Sequence, residues 1–457
     1  MWFILMKFIG DERMKGIAVA IVFGLVFFVL SLFGFAMQHA ILIGLVAFLV
    51  TLWTNESMPL GVVSLLPIIF FPVFGILDTQ AVTANYSKSI IFLFLGGFML
   101  AIAIEKTALH RYFSAKLLNF FPKTSRGIIY ALSITSALLS AILSNTTITL
   151  MLMPIALYLS ENVQLKVRFL LAIAYGASIG GILTPIGTAP NLILLGFLEE
   201  QHMPILAFGE WMIVMLPVVG LMLLIMPYLL SLGIQNECVE DVNRQISALT
   251  PAQMRLYVIL GLLASILIAN TFIKQLFAMA LDEKLILLGF GLLMFVPKIG
   301  FLKWEDTRAM PYEIIFLFGA GFSIAAAFSS TGLATDIATK LSFISGFPLF
   351  WMLVSVALFV TFSTEITSNT ALISIAIPVF FEFAKRMPQN EGIVLLMVAT
   401  VAASYAFMLP IATPPNAIVM SSKIIRIKEM AKIGLKMNIV GVLILSLSAY
   451  FLWGFLM

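Results

Sequence analysis

Cysteine is almost absent. Cys238 stands alone in 457 residues, so an intrachain disulfide and a thiolate metal cluster are both excluded. Its neighbours Asn236, Glu237, Glu240 and Asp241 place it in a polar loop, as a surface thiol with no adjacent cation to activate it. Histidine is scarce too. His39, His110 and His202 lie far apart near the ends of apolar runs, which excludes a metal-ligand cluster and leaves interfacial hydrogen bonding as their role. Charge is the third shortage. Charged residues make up 11% of the chain, against roughly 25% in soluble domains. The formal charge of +4 is modest and no basic tract stands out, so nucleic acid is not a partner. Neither a nucleophile–base pair nor a set of metal ligands is visible, which argues against an intramembrane enzyme.

What the chain has in abundance is apolar length. It is 61% hydrophobic, with repeated runs of the roughly 20 residues that cross a hydrocarbon core of about 30 Å. Alternating segments of roughly 10 residues, the signature of a membrane β-barrel, are missing. The expectation is therefore an all-α polytopic protein embedded in a lipid bilayer. The run after Lys15 is long enough to be a span and lacks the small-residue cleavage site of a signal peptide.

Taken in order, spans fall at about 16–36, 40–54 and 57–76, with a fourth starting near Ser89. Residues 127–160 form an apolar stretch broken at Ser144-Asn145-Thr146 and read best as a re-entrant hairpin. Span 5 (about 168–198) is broken at Gly180-Gly181 and from Thr184-Pro185 to Pro190-Asn191, and span 6 follows at about 205–232. A polar linker at 235–255 leads to spans at about 256–273 and 284–300 and to another from about 311. Residues 347–385 repeat the hairpin around Ser368-Asn369-Thr370, span 10 (about 391–422) breaks at Pro410 and Thr413-Pro414-Pro415-Asn416, and span 11 is about 434–456. Proline interrupts helical hydrogen bonding. A broken helix at membrane depth is tolerated only where protein or a cavity satisfies its backbone.

The two Ser-Asn-Thr islands are separated by 224 residues, and the same offset relates Ile90–Phe94 to Ile314–Phe318 and Pro154 to Pro378. Gly187-Thr188-Ala189-Pro190-Asn191 answers Ala412-Thr413-Pro414-Pro415-Asn416 at an offset of 225. Four landmarks in one order at nearly one spacing indicate a duplication of half the molecule. The predicted organisation is a leading segment and span at 1–36, a first repeat at 37–234, the linker, and a second repeat at 256–457. That gives 11 membrane helices and two hairpins, with five spans per repeat. An odd number inverts one copy relative to the other. With the N-terminus cytoplasmic, 20 of the 26 Lys and Arg residues fall on inner segments, as the positive-inside rule requires. The C-terminus then lies outside.

Inverted repeats, paired hairpins and broken helices mark a secondary transporter with its site at mid-membrane. An ordinary Ser-Asn-Thr in a membrane helix is packing glue, but duplication with matched flanks favours a binding role. Half-helix N-termini attract anions and unwound carbonyls coordinate cations. Neither tripeptide nor either proline loop contains Asp, Glu, Lys or Arg. An anionic substrate is thus held by amide and hydroxyl donors, helix ends and co-bound cations, and without those cations it should bind poorly. Gly96-Gly97 and Gly319-Gly321 read as close-packing sites, and Glu105-Lys106 as a solvated interfacial pair. The segments 111–126 and 423–436 read as surface helices on anionic lipid. Glu365, beside the second tripeptide, is an intramembrane acid with either a functional role or a structural hydrogen-bonding role within the hairpin.

These motifs, over nearly the whole chain, resemble the divalent anion/sodium symporter family, which includes sodium-coupled dicarboxylate and citrate transporters. The resemblance implies one Na+ site at Ser140, Ser144 and Asn145 with the Gly187 backbone, and a second at Thr364, Ser368 and Asn369 with the Ala412 backbone. It implies substrate carboxylates between Asn145-Thr146 and Asn369-Thr370, with Thr413-Pro414 beside them and Thr188 at the pseudo-symmetric place. It further implies a homodimer and an elevator motion. One departure is Ala189, where such loops often carry proline. The function implied is Na+-coupled uptake of C4-dicarboxylates such as succinate, malate or fumarate. The alternatives are a sodium-independent dicarboxylate exchanger, a sulfate or citrate symporter of the same fold, or an anion channel.

Overall fold

The computed structural model describes residues 12–238, 248–277, 281–340 and 346–453. Among them every named element is helical. The first half contains α1 (Glu12–Ser31), α2 (Met37–Asn55), α3 (Leu60–Leu65), α4 (Pro67–Val73), α5 (Thr79–Ala84), α6 (Ser89–Lys106) and α7 (Leu109–Phe120). It continues with α8 (Ser125–Ser140), α9 (Asn145–Tyr158), α10 (Val163–Gly180), α11 (Ala189–Glu200) and α12 (Phe208–Ser231). The second half contains α13 (Pro251–Phe277), α14 (Glu283–Leu293), α15 (Tyr312–Thr331), α16 (Leu333–Lys340), α17 (Leu349–Thr364), α18 (Asn369–Ala384), α19 (Gln389–Ala402), α20 (Pro414–Ser421) and α21 (Ile427–Ser448). Eight helical segments among the described residues are long and apolar enough to cross a membrane.

Several local differences from the sequence reading have plain causes. The stretch expected as one span at 57–76 is two short helices, because Pro67 opens α4 and has no N–H to continue α3. The second basic segment is not a separate surface helix, since Ile427–Ser448 runs unbroken into the last apolar stretch. Lys106 pairs with Asp306 at 2.5 Å rather than with its neighbour Glu105. That hydrogen bond holds the Asp306 carboxyl below its usual range. Part of the expected linker, residues 239–247, lies outside the described residues. Cys238 is exposed, as its polar flanks require.

Small residues let the helices touch. A Cβ on Gly24 would come 3.1 Å from the Gly44 carbonyl oxygen, so α1 and α2 are in backbone contact there. Gly176 and Gly180, one turn apart on α10, lie against the backbone of α8 at Ser133 and Ala137, where a Cβ would overlap. Gly96 meets Leu287 of α14 in the same way, and Gly321 meets Ser374 of α18. These glycines serve close approach, the use membrane helices make of small residues.

The packing order sets up the centre. The helix entering the first break, α8, packs on α10 and α12. Its counterpart α17 packs on α19 and α21. Each helix leaving a break then crosses to the other half. Helix α9 lies against α20, and α18 lies against α11, with Phe381 and Phe197 edge to face at 5.1 Å. Two tips and two loops from opposite ends of the sequence therefore share one core.

Candidate functional site

At the first tip, α8 ends at Ser140 and α9 begins at Asn145. The Ser140 hydroxyl donates to Asn145 Oδ1. Ser144 occupies the N-cap position of α9 without a side-chain cap bond. Across from the tip, α10 stops at Gly180 and α11 restarts at Ala189. A Cβ on Gly181 would come 3.1 Å from Asn145 Oδ1 and 3.0 Å from the Gly187 carbonyl oxygen. Gly187 and Gly181 are thus in backbone contact beside the Asn145 carboxamide. The Thr184 hydroxyl ties this loop to the tip by donating to the Ala141 carbonyl at 2.5 Å.

The second tip repeats the scheme. Helix α17 ends at Thr364, whose hydroxyl lies 2.6 Å from Asn369 Oδ1 and 3.0 Å from the Ala403 carbonyl. A single hydroxyl proton serves one of those acceptors at a time. Ser368 holds the N-cap position of α18, again without a side-chain cap bond. Both loops are clipped by an asparagine that the sequence reading treated only as part of a motif. Asn191 Nδ2 donates to the Gly181 and Thr184 carbonyls, at 3.3 and 2.9 Å. Asn416 Nδ2 donates to the Ala406 and Leu409 carbonyls, at 2.8 and 3.0 Å. In each case the acceptors lie 10 and 7 residues upstream.

The expected cation ligands are thus partly assembled. Ser140, Asn145 and Gly187 adjoin in the first half through Gly181, and Thr364 adjoins Asn369 in the second. Ala412 donates its N–H to the Leu409 carbonyl at 3.2 Å, inside the clipped loop. Of the expected substrate residues, Asn145, Thr146 and Asn369 are half-buried at the tips, and Thr370 is buried. Thr188 and Thr413 are the N-cap residues of α11 and α20, with nearly equal extended backbones at φ −148° and −143°. Pro414 is exposed.

Four helix N-termini, those of α9, α11, α18 and α20, begin within these tips and loops. Each carries a partial positive charge, and those of α9, α11 and α18 also offer unpaired N–H groups; at α20 Pro414 and Pro415 have no N–H and Thr413 takes the Asn416 N–H. The hydroxyl and carboxamide oxygens beside them are hard donors. The arrangement offers oxygen ligands to a hard cation and N–H groups to an anion within the same tips.

The supporting residues Asn438, Tyr175 and Trp211 had escaped the sequence reading. Trp211 Nε1 donates to the Ile182 carbonyl at 3.0 Å, and the Tyr175 hydroxyl donates to the Phe407 carbonyl at 2.8 Å. Ile182 and Phe407 are related by the same 225-residue offset as the loops. None of the three supporting residues carries a clear signal in the sequence, since even Asn438 shares its helix with Lys428, Glu429, Lys432 and Lys436.

Solved transporters share this architecture. The YdaH transporter of Alcanivorax borkumensis aligns with a TM-score of 0.55 at 14% identity, over 82% of this chain and 87% of that one. MtrF of Neisseria gonorrhoeae aligns with a TM-score of 0.58 at 14% identity, over 81% and 82%. Fold and site together define a membrane transporter, not an enzyme. Residues 46–391 match the family model described as a citrate transporter, and the chain belongs to that family. It is 31% identical to the sodium-dependent dicarboxylate transporter SdcS of Staphylococcus saprophyticus, over 96% of this chain and 91% of that protein. It is 27% identical to SdcS of Staphylococcus aureus, over 95% and 91%.

Proposed function

We propose that this protein couples Na+ influx to uptake of small divalent anions, with C4-dicarboxylates such as succinate, malate and fumarate as cargo. The observation that carries this reading is the pair of matched oxygen sets. Ser140 with Asn145, and Thr364 with Asn369, hold a hydroxyl and a carboxamide oxygen together at the start of a helix. Oxygen-only ligands suit a hard cation. Na+ at each pair, completed by Ser144 and the Gly187 carbonyl or by Ser368 and the Ala412 carbonyl, supplies positive charge next to the helix N-termini. A dicarboxylate then binds between Asn145-Thr146 and Asn369-Thr370, flanked by Thr188 and by Thr413-Pro414. The sodium-dependent dicarboxylate transporters among the relatives support this cargo pair.

In this proposal the two halves are inverted repeats, the N-terminus is cytoplasmic, and the tips move as one body against a stationary scaffold in a homodimer. Closed two-fold assemblies are the commonest oligomers. The exposed Cys238 gives a handle on orientation. An impermeant thiol reagent should label it from the cytoplasmic side only. A cysteine at Lys385 in a Cys238→Ser background should react from outside, and reaction of both from one side refutes inversion.

Counterflow in proteoliposomes with a panel of anions, with and without a Na+ gradient, tests the function. Succinate accumulation that requires Na+ is the expected result. Accumulation indifferent to Na+ makes the protein an exchanger and refutes symport. The family model favours one competing cargo, citrate; uptake of citrate or sulfate in preference to succinate refutes the C4 assignment.

A further inference from the structure

Glu365 is the one buried carboxylate among the described residues, 3% exposed, and it sits directly after Thr364 at the second tip. Three donors converge on it. Oε1 accepts from the Met408 N–H at 2.9 Å and from Asn438 Nδ2 at 2.6 Å, and Oε2 accepts from the Leu409 N–H at 2.9 Å. Asn438 in turn accepts the Phe407 N–H at 3.3 Å, and the Tyr175 hydroxyl donates to the Phe407 carbonyl. Residues 407–409 are therefore held from α10, from α21 and from the tip itself. The next bonds run toward the expected cation ligand, because the Leu409 carbonyl accepts the Ala412 N–H and Asn416 Nδ2.

Among the described residues the first half has no such group. Its equivalent of Glu365, at an offset of 224, is Ala141. There the tip is joined to the loop by one neutral bond, from the Thr184 hydroxyl to the Ala141 carbonyl. Bonds to a carboxylate are roughly twice as strong as neutral ones, and a buried network with every member satisfied rigidifies the segment it holds.

We propose that Glu365 is a positioning residue that presets the loop carrying Ala412 and Thr413, so that the second cation site is formed before its ion arrives. The inference rests on the Na+ reading above and names which of the two sites is preorganised. Preorganisation raises affinity by cutting the ordering that binding would otherwise require. Losing it raises the Na+ concentration needed for half-maximal uptake while sparing the maximal rate at saturating Na+.

The test uses the full chain, in detergent for amide exchange and in proteoliposomes for uptake. Glu365→Ala should speed hydrogen exchange at the Met408 and Leu409 amides with neither Na+ nor substrate present. It should raise the half-saturating Na+ concentration about tenfold, the scale of a typical coupling between sites, with the maximal rate within about twofold of the parent. Glu365→Gln keeps one acceptor oxygen but sets an N–H₂ against one of the three converging donors, so its Na+ requirement should fall between those of the parent and Glu365→Ala. Asn438→Ala should raise the Na+ requirement about threefold and add little to Glu365→Ala, as members of one network do. If Glu365→Ala does not fold, Glu365→Gln and Asn438→Ala decide, and an unchanged Na+ requirement in both overturns the proposal. Unchanged exchange at 408 and 409, or a lower maximal rate with an unchanged Na+ requirement, also overturns it. A parent protein that transports without Na+ but shows faster exchange in Glu365→Ala refutes the symport reading and leaves the brace standing.

Discussion

The two loops opposite the tips do the same task with different materials. Both are clipped by an asparagine reaching 7 and 10 residues back along the chain. Both end on a threonine in the same extended conformation. The first is then packed by glycine, with Gly181 and Gly187 in contact with each other beside Asn145. The second has Ala406 and Ala412 at those places and is held by the Glu365 carboxylate and Asn438. One loop is fixed by the room its residues leave out, the other by the hydrogen bonds a buried acid collects. A duplicated sequence therefore preserves the position of a loop without preserving how it is held.

The largest effects belong to the residues both halves share. Asn145→Ala and Asn369→Ala each remove the carboxamide that faces the neighbouring hydroxyl, and both should abolish Na+-driven uptake. Asn369→Asp discriminates further. It keeps an oxygen for a cation but repels a dianion and loses the N–H₂ donor, so it should retain some Na+ binding and lose succinate affinity. Calorimetric titration with Na+ and with succinate checks this. An Asn369→Asp protein that binds succinate normally, with the same Na+ dependence, means that the tips are packing elements and not shared ligands.

Next in size is the contrast in packing. A Cβ on Gly187 would lie 2.5 Å from the Gly181 carbonyl oxygen, closer than backbone can accept. Overpacking of this kind costs about 1–3 kcal/mol. Gly187→Ala should therefore lower the unfolding temperature and raise the Na+ requirement. Ala412→Gly, the reverse change at the equivalent place, opens no clash and should change both far less. Thermal unfolding of the detergent-purified variants, with a Na+ titration of each, measures the difference. Equal effects would show that the two loops are held alike after all.

How much of this the sequence reveals follows from the range of each interaction. The breaks at Ser144-Asn145-Thr146 and Ser368-Asn369-Thr370 are legible because polarity inside an apolar run is a local signal, and α9 and α18 do begin at Asn145 and Asn369. The loops are legible for the same reason, through Pro190 and Pro415 near the starts of α11 and α20. The bonds that hold these pieces are not local. Glu365 meets Met408 and Leu409 across 43 and 44 residues, and Asn438 across 73. Tyr175 meets Phe407 across 232. Nothing in the composition around Tyr175 or Asn438 announces those partners, since each is one of several polar groups on its helix, with Lys166 and Arg168 preceding Tyr175 and Lys432 and Lys436 preceding Asn438. Glycine is ambiguous in a similar way. Gly180-Gly181 reads as a break, yet Gly180 is there to let α10 touch α8, and Gly181 to make room for Gly187 and Asn145.

The smallest expected effect separates capping from substrate contact. Thr413 Oγ1 accepts the Asn416 N–H at 3.3 Å, which caps α20. Pro414 and Pro415 have no N–H, so Asn416 offers the first donor of that helix and Thr413 takes it. Thr188 makes no side-chain cap bond, and Ala189 brings to α11 a backbone N–H that proline lacks. Removing an N-cap side chain costs about 1 kcal/mol. Thr413→Ala should thus lower stability and weaken succinate binding together, and Thr413→Ser should restore both, because the hydroxyl returns. Thr188→Ala has no cap to lose. It should leave the unfolding temperature nearly unchanged while raising the succinate concentration for half-maximal uptake severalfold, so that any change reports the substrate contact alone. Unfolding curves alongside succinate titrations at saturating Na+ make the comparison. If Thr188→Ala leaves the succinate requirement where it was, the substrate sits toward the second loop and the symmetry of the site ends at its cations.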